Sequence, residues 1–484
     1  MDDALARWKA GWERRLQGVR NLADLDVGVA ARAAMMMRGP GALALHLLRA
    51  MPPTDAIREY WRARDEEWVD LWMYIARMDE SEYETWRAHV RDRVYLRQGA
   101  AGIGAEAAAE MLDLAHADGL FRSAPHLEVL CGAGGVELIG EVWRALGGQL
   151  WDTPEAAPST PARGEVKTWK ELRTRAGHAR DAARGKRQEW DDARHARLHD
   201  PARAPLGPTD AAPGAANLYM HWLRGLPPEG GRWDAGVASS VVGVRRAFGL
   251  PVVGRLIGLT TSPACDACRV AALPLGEPVV PTRPRLRLDS HGEHILCCNR
   301  WAVTTRRHNA IAYALVRCAR RAGCEPRADN RAVMDGGYVR PGDVYLNRWM
   351  HKAGGMAIDV TLVSKWVRGV DDAEAAKHVK YKTYLADYEA LGFTAFALDL
   401  GGGIGKEAWT MLTDLARMTA MQPQNYRTRS EALNDNISEI AWTFVDEVTR
   451  EIQRSMRPHG GTRRMRSSSV AGAAAAGPIH SIHR

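Results

Sequence analysis

The chain has 484 residues, 46% hydrophobic and 26% charged, and its 66 Lys and Arg against 58 Asp and Glu give a formal charge of +8. That length predicts roughly two to four domains with real cores, and every apolar run is cut by Arg, Pro or Gly before the roughly 18 residues of a membrane span, which excludes a helical membrane protein. Seven Cys are too few for a disulfide scaffold and fit a reducing compartment, the first residues lack a signal-peptide layout, and the basic balance permits a nucleic-acid partner.

Residues 1–150 read as helical. In 56–78, Ile57, Trp61, Trp68, Leu71, Trp72 and Ile75 recur at helical spacing, and such a Trp stripe is expected to be core. Two short helices are expected around 105–117 and 136–145. Composition then shifts: 153–163 and 200–215 are rich in Pro and Ala and read as linkers. Between them, 165–199 is a charged helix with almost no apolar stripe, expected to be a solvated spacer. Order resumes at Asn217, a C-terminal helix spans 426–457, and 458–484 reads as a disordered basic tail.

Cys265-Asp266-Ala267-Cys268 has the C-x2-C spacing that lets two thiolates share one tetrahedral zinc. His294 and Cys298, one helical turn apart, supply a second pair, with His291 and Cys297 as spare candidates.

The strongest signal lies in 304–421. An amphipathic helix over 304–322 carries Arg317, Arg320 and Arg321 away from its apolar stripe, and these, with Arg306 and Arg307 on or beside the same helix, are candidate phosphate contacts. Short strands follow at 341–346 and 357–363, then a helix at 372–391, a strand at 394–400 and a helix at 405–421, with one more strand expected near 332–338. Period two puts Ile358, Val360 and Leu362 on one strand face and Asp359 with Thr361 on the other. Asp343 and Asp359, on neighbouring strands, suit a hard divalent cation such as Mg or Mn, with Glu325 as a further carboxylate. Lys377, Lys380, Tyr381 and Tyr384 share a helix face, and either lysine is placed to offset charge developing on phosphorus. Gly401–Gly405 lacks the Walker spacing and reads as a tight strand-to-helix turn.

Taken together, Cys265-x2-Cys268, Gly292-Glu293-His294-Ile295-Leu296-Cys297-Cys298 and Arg307-His308-Asn309 resemble the region that follows the polymerase in non-LTR retrotransposon reverse transcriptases. Arg340-Pro341-Gly342-Asp343-Val344, Ala357-Ile358-Asp359-Val360-Thr361 and Lys377-x2-Lys380-Tyr381 resemble that family's restriction-enzyme-like endonuclease. More loosely, 38–51, 65–71 and Tyr95-Leu96-Arg97-Gln98-Gly99-Ala100-Ala101-Gly102 are similar to its helical thumb. The resemblance implies a PD-(D/E)xK fold with core order αβββαβ, and it implies DNA, and element RNA, as partners in the nucleus. No aromatic-x-Asp-Asp turn is present, so polymerase fingers and palm are expected to be absent. Thr361 stands where the family has Lys, which moves that role to Lys377 or Lys380, and the Pro-Asp pair is opened by Gly342.

The expected architecture is therefore multidomain. A thumb-like helical region (1–150) leads into the charged helix with its linkers (151–216). A helical segment with a CCHC zinc knuckle (217–303), an α/β restriction-endonuclease-like domain (304–425), the C-terminal helix (426–457) and the tail (458–484) follow. The expected function is metal-dependent DNA cleavage through Asp343, Asp359 and Lys377 or Lys380, and the alternative is a nucleic-acid-binding remnant without catalysis.

Overall fold

The computed structural model describes residues 2–51, 54–97, 101–132, 135, 168–198, 217–224, 236–252, 291–297, 303–328, 342–350, 354–364, 368–386, 391–423 and 427–456. Most of them are helical, joined to one small mixed sheet. Among these residues no helix is long and apolar enough to cross a membrane.

The first half runs α1 (Asp2–Leu25), α2 (Val27–Met37), α3 (Gly39–Leu43), α4 (Leu45–Ala50), α5 (Asp55–Ile75), α6 (Glu80–Tyr95) and α7 (Ala108–Cys131). Local chemistry starts several of these. Asp26 and Thr54 cap α2 and α5 by accepting from Val29 N and Ile57 N, and Asp79 with Glu82 forms a full capping box on α6. The Trp stripe is core as expected: Trp61, Trp68 and Trp72 are fully buried, and Trp8 and Trp12 of α1 pack on it. The helix expected at 105–117 instead continues to Cys131, with Pro125 inside it, and 136–145 lies outside the described residues.

The charged helix α8 (Trp169–Leu198) is not a solvated spacer. It lies along α7 and buries Trp169, Leu172, Ala176, Ala179, Ala183 and Leu198. Ala and Gly at helical spacing make a narrow seam that allows close approach, although by hydropathy it barely registers as a stripe. Arg194 and Arg197 tie the end of α8 to Glu110 and Asp92.

The second half adds α9 (Leu218–Arg224), α10 (Gly236–Phe248), α11 (Glu293–Cys297) and α12 (Val303–Arg321). The strands β1 (Pro326–Ala328), β2 (Val344–Leu346) and β3 (Met356–Val363) come next. After them come α13 (Val370–Ala386), β4 (Gly392–Asp399), α14 (Lys406–Ala420) and α15 (Arg429–Met456). The sheet order is β1-β2-β3-β4: the first two pairings are antiparallel and β3–β4 is parallel, as a crossover through α13 requires. Three strands fall where the sequence places them. The extra one lies at 326–328, earlier than expected, and 332–338 is outside the described residues. Helix α12 packs on β1, β2 and β3, α13 and α14 pack on β4, and α15 packs against α9, α10, α12 and α14. One continuous apolar cluster runs from the Trp stripe through α9 and α10 to Ile358 and Val360 of β3 and the inner face of α15.

Candidate functional site

Residues 356–363 form a strand because branched residues alternate with small or polar ones. Ile358 and Val360 enter the apolar cluster, which turns Asp359 to the opposite face, where it is only 5% exposed. A carboxylate that deep needs partners, and α13 supplies two from successive turns. The Lys377 ammonium contacts Asp359 Oδ2, and the Tyr381 hydroxyl donates to Oδ1 at 3.1 Å. Burial first, and then the charge of Asp359, pushes Tyr381 up to about 12, so it remains a donor. Lys380 stands one step back: its Nζ donates to the Tyr381 hydroxyl at 3.0 Å and lies 4.7 Å from the ring centroid.

Asp343 immediately precedes β2. Its N–H donates to Ile358 O at 2.7 Å, and its Oδ2 accepts from Val360 N at 2.8 Å. Gly342 makes this approach feasible, since a Cβ there would sit 2.5 Å from Ile358 O. The glycine that opens the Pro-Asp pair thus lets the aspartate dock on β3. His308 of α12 completes the group. Its Nε2 lies 3.0 Å from Asp343 Oδ2 and 3.1 Å from Val360 O. The hydrogen bond to Asp343 is the main cause holding the imidazole above its ordinary pKa, against burial, and the Asp359 charge adds to it. Asp343 and Asp359 both also raise Tyr381. Each carboxylate is therefore felt by the other's partner, as in one shared electrostatic site.

Glu325 does not join this pair. It lies just before β1, and Asn347 N donates to its carbonyl past the far end of β2, four residues or about 13 Å of strand from Asp343. Its carboxylate pairs with Arg348 at 3.0 Å. The expected arginine face is also divided. Arg307 is buried, donating to Glu451 Oε2 at 3.0 Å and to Leu296 O at 2.8 Å, and Arg317 and Arg321 both pair with Glu439 of α15. Only Arg306 and Arg320 of the five are exposed without an ion pair among the described residues. The reason is α15, whose acidic residues meet a helix face that looks solvated when α12 is read alone.

Of the expected zinc ligands, Cys265, Cys268 and Cys298 lie outside the described residues, as does the side chain of His294 within α11. The spare candidate His291 is buried, with Nε2 3.2 Å from Gly249 O, and Cys297 is exposed. The glycine run is the expected tight turn: Leu218 N and Asn217 Nδ2 bond to its carbonyls, and Gly402 has φ of 90°.

Sequence reasoning missed two features. His308 enters it only as a letter in a family motif, because nothing in a helical pattern says that a ring will reach a strand. The second feature is Glu374 of α13, which accepts from Glu407 N and Ala408 N at the start of α14 and is pushed up to about 7, chiefly by burial. Gly405 leaves the space it occupies.

Among the described residues no group of three or more His, Cys, Asp and Glu forms a metal cage. The donor set instead fits a hard cation that keeps most of its waters, since magnesium takes one or two carboxylates and fills its remaining positions with water and phosphate oxygens. No protein-family model matches the chain, and no curated protein matches it either.

Proposed function

We propose that this site cleaves phosphodiester bonds in DNA with a divalent cation, as the endonuclease portion of a protein of the non-LTR retrotransposon reverse transcriptase type. One observation carries the reading. Asp343 and Asp359 come from consecutive antiparallel strands to a site that also holds Lys377, in an element order of α12-β1-β2-β3-α13-β4, which is the αβββαβ order of the restriction-enzyme-like nucleases.

Asp343 and Asp359 would hold Mg or Mn, which when bound supplies Lewis-acid stabilisation of phosphate and a more acidic water. Lys377, touching Asp359, is the cation that can reorient toward a phosphate oxygen and offset its developing charge. Tyr381 holds Asp359 in place, and Lys380 steadies Tyr381. We assign Cys265, Cys268, His294 and Cys298 to one structural zinc. A remnant that binds DNA without cutting it is the second reading, favoured by Thr361, which brings a hydroxyl where the family motif has a charged lysine.

Incubating supercoiled plasmid with the protein and Mg or Mn tests both. Nicking should be metal-dependent, abolished by Asp343→Ala or Asp359→Ala with DNA affinity retained, and reduced more by Lys377→Ala than by Lys380→Ala. DNA binding without nicking in either metal selects the remnant. Nicking that survives Asp343→Ala puts the chemistry elsewhere.

A further inference from the structure

We infer that His308 is a positioning residue: by donating from Nε2 to one oxygen of Asp343, it fixes that carboxylate so that the other oxygen is presented to a divalent cation. The inference rests on the cleavage reading above for what Asp343 does, and it adds a residue to which the sequence gives no role.

Two acceptors surround Nε2, Asp343 Oδ2 at 3.0 Å and Val360 O at 3.1 Å. Acceptors on both sides require that Nε2 carry the proton. His308 is therefore not a metal ligand through Nε2, which has no lone pair to give. Its Nδ1 faces Asn309 Oδ1 at 3.2 Å. Val360 N donates to the same Asp343 oxygen at 2.8 Å, so Oδ2 receives two donors, one from the β3 backbone and one from α12. Oδ1 accepts no hydrogen bond among the described residues and is the oxygen left for a ligand.

The clamp is itself held. The preceding residue, Arg307, is locked into α15 and the chain before α12 by Glu451 and Leu296 O, which fixes the rotation of α12 about its axis and so the direction of the next side chain. An aspartate left to rotate would have to be ordered by the cation, at a cost in affinity. Hydrogen-bond partners of ligating groups are commonly worth about 10- to 100-fold in metal affinity.

The test uses the full chain and Mn²⁺ alone, with free Mn²⁺ followed by electron paramagnetic resonance, on wild type, His308→Ala, His308→Gln and Asp343→Ala. His308→Ala should weaken binding about tenfold or more, with an unchanged melting temperature. His308→Gln, whose amide N–H reaches the Nε2 position, should recover most of the loss. In the nicking assay His308→Ala should raise the Mn²⁺ needed for half-maximal rate more than it lowers the rate at saturation. Wild-type affinity in His308→Ala, with binding lost in Asp343→Ala, overturns the positioning role and leaves the cleavage reading standing. Equal losses in the Ala and Gln variants overturn it as well, because a packing role would not distinguish them. Unchanged binding in Asp343→Ala, or none in wild type, overturns both.

Discussion

Glu451→Ala should destabilise the protein by about 3–5 kcal/mol, a loss specific to a buried ion pair broken on one side. Arg307 and Glu451 are 2% and 3% exposed and bonded at 3.0 Å, with a second guanidinium donor on Leu296 O. Removing the carboxylate leaves a buried guanidinium whose remaining acceptor among the described residues is Leu296 O. Arg307→Ala should also destabilise, because it takes the buried guanidinium away from the Glu451 carboxylate. The paired change Arg307→Met with Glu451→Leu should cost far less than the sum of the singles, since apolar replacements of similar volume remove both desolvation terms. Urea unfolding of the four proteins measures this. The salt dependence of DNA binding, measured in parallel, should keep its slope in the paired variant, whereas Arg320→Gln, at an exposed site, should flatten it by roughly one unit if that side chain meets a phosphate. Single changes that cost under about 1 kcal/mol, the value of an exposed pair, together with a flattened slope in the paired variant, would refute the buried assignment.

Glu374 links stability to pH. Its carboxyl is raised from 4.5 to about 7 in the folded chain, so its contribution is complete below pH 4.5 and is lost as pH rises through 7. Between about pH 5.5 and 8.5 wild type should lose about 2 kcal/mol relative to Glu374→Gln, read as the difference in unfolding free energy; a difference independent of pH would mean the carboxylate is charged throughout. Gly342→Ala puts a methyl 2.5 Å from Ile358 O, against backbone, and should cost about 1–3 kcal/mol while abolishing nicking even where the protein remains folded. Wild-type activity in that variant would show that Asp343 does not depend on the close approach. Purified protein should contain about one zinc per chain, and Cys265→Ser should release it, as elemental analysis would report.

Much of the sheet was legible in the sequence because its signals are local. Alternation in 356–363 assigns Asp359 to the face away from Ile358 and Val360, and helical spacing puts Lys377 and Tyr381 on one side of α13; both hold in the structure. The Trp stripe declares itself core for the same reason, since a periodic apolar pattern has few other uses. Which lysine meets Asp359 was not legible. Lys377 and Lys380 share a face, and only the approach of α13 to β3 gives Lys377 the contact and leaves Lys380 on the Tyr381 hydroxyl.

By itself, then, the sequence determined the kinds of element, their order, and the two aspartates with a lysine helix behind them, all of which follow from patterns a few residues long. Tertiary structure decided what partners each charge has. Arg307, Arg317 and Arg321 read as candidate phosphate contacts until α15, more than a hundred residues on, brings Glu451 and Glu439 to them. Likewise α8 reads as a spacer until α7 fits its alanines, Glu325 reads as a ligand until the β1–β2 register sets it at the end of β2 away from Asp343, and His308 reads as nothing until α12 lies across the strands. Periodicity fixes which way a side chain leaves its own element, whereas its partner depends on where another element packs, and no local pattern encodes that distance.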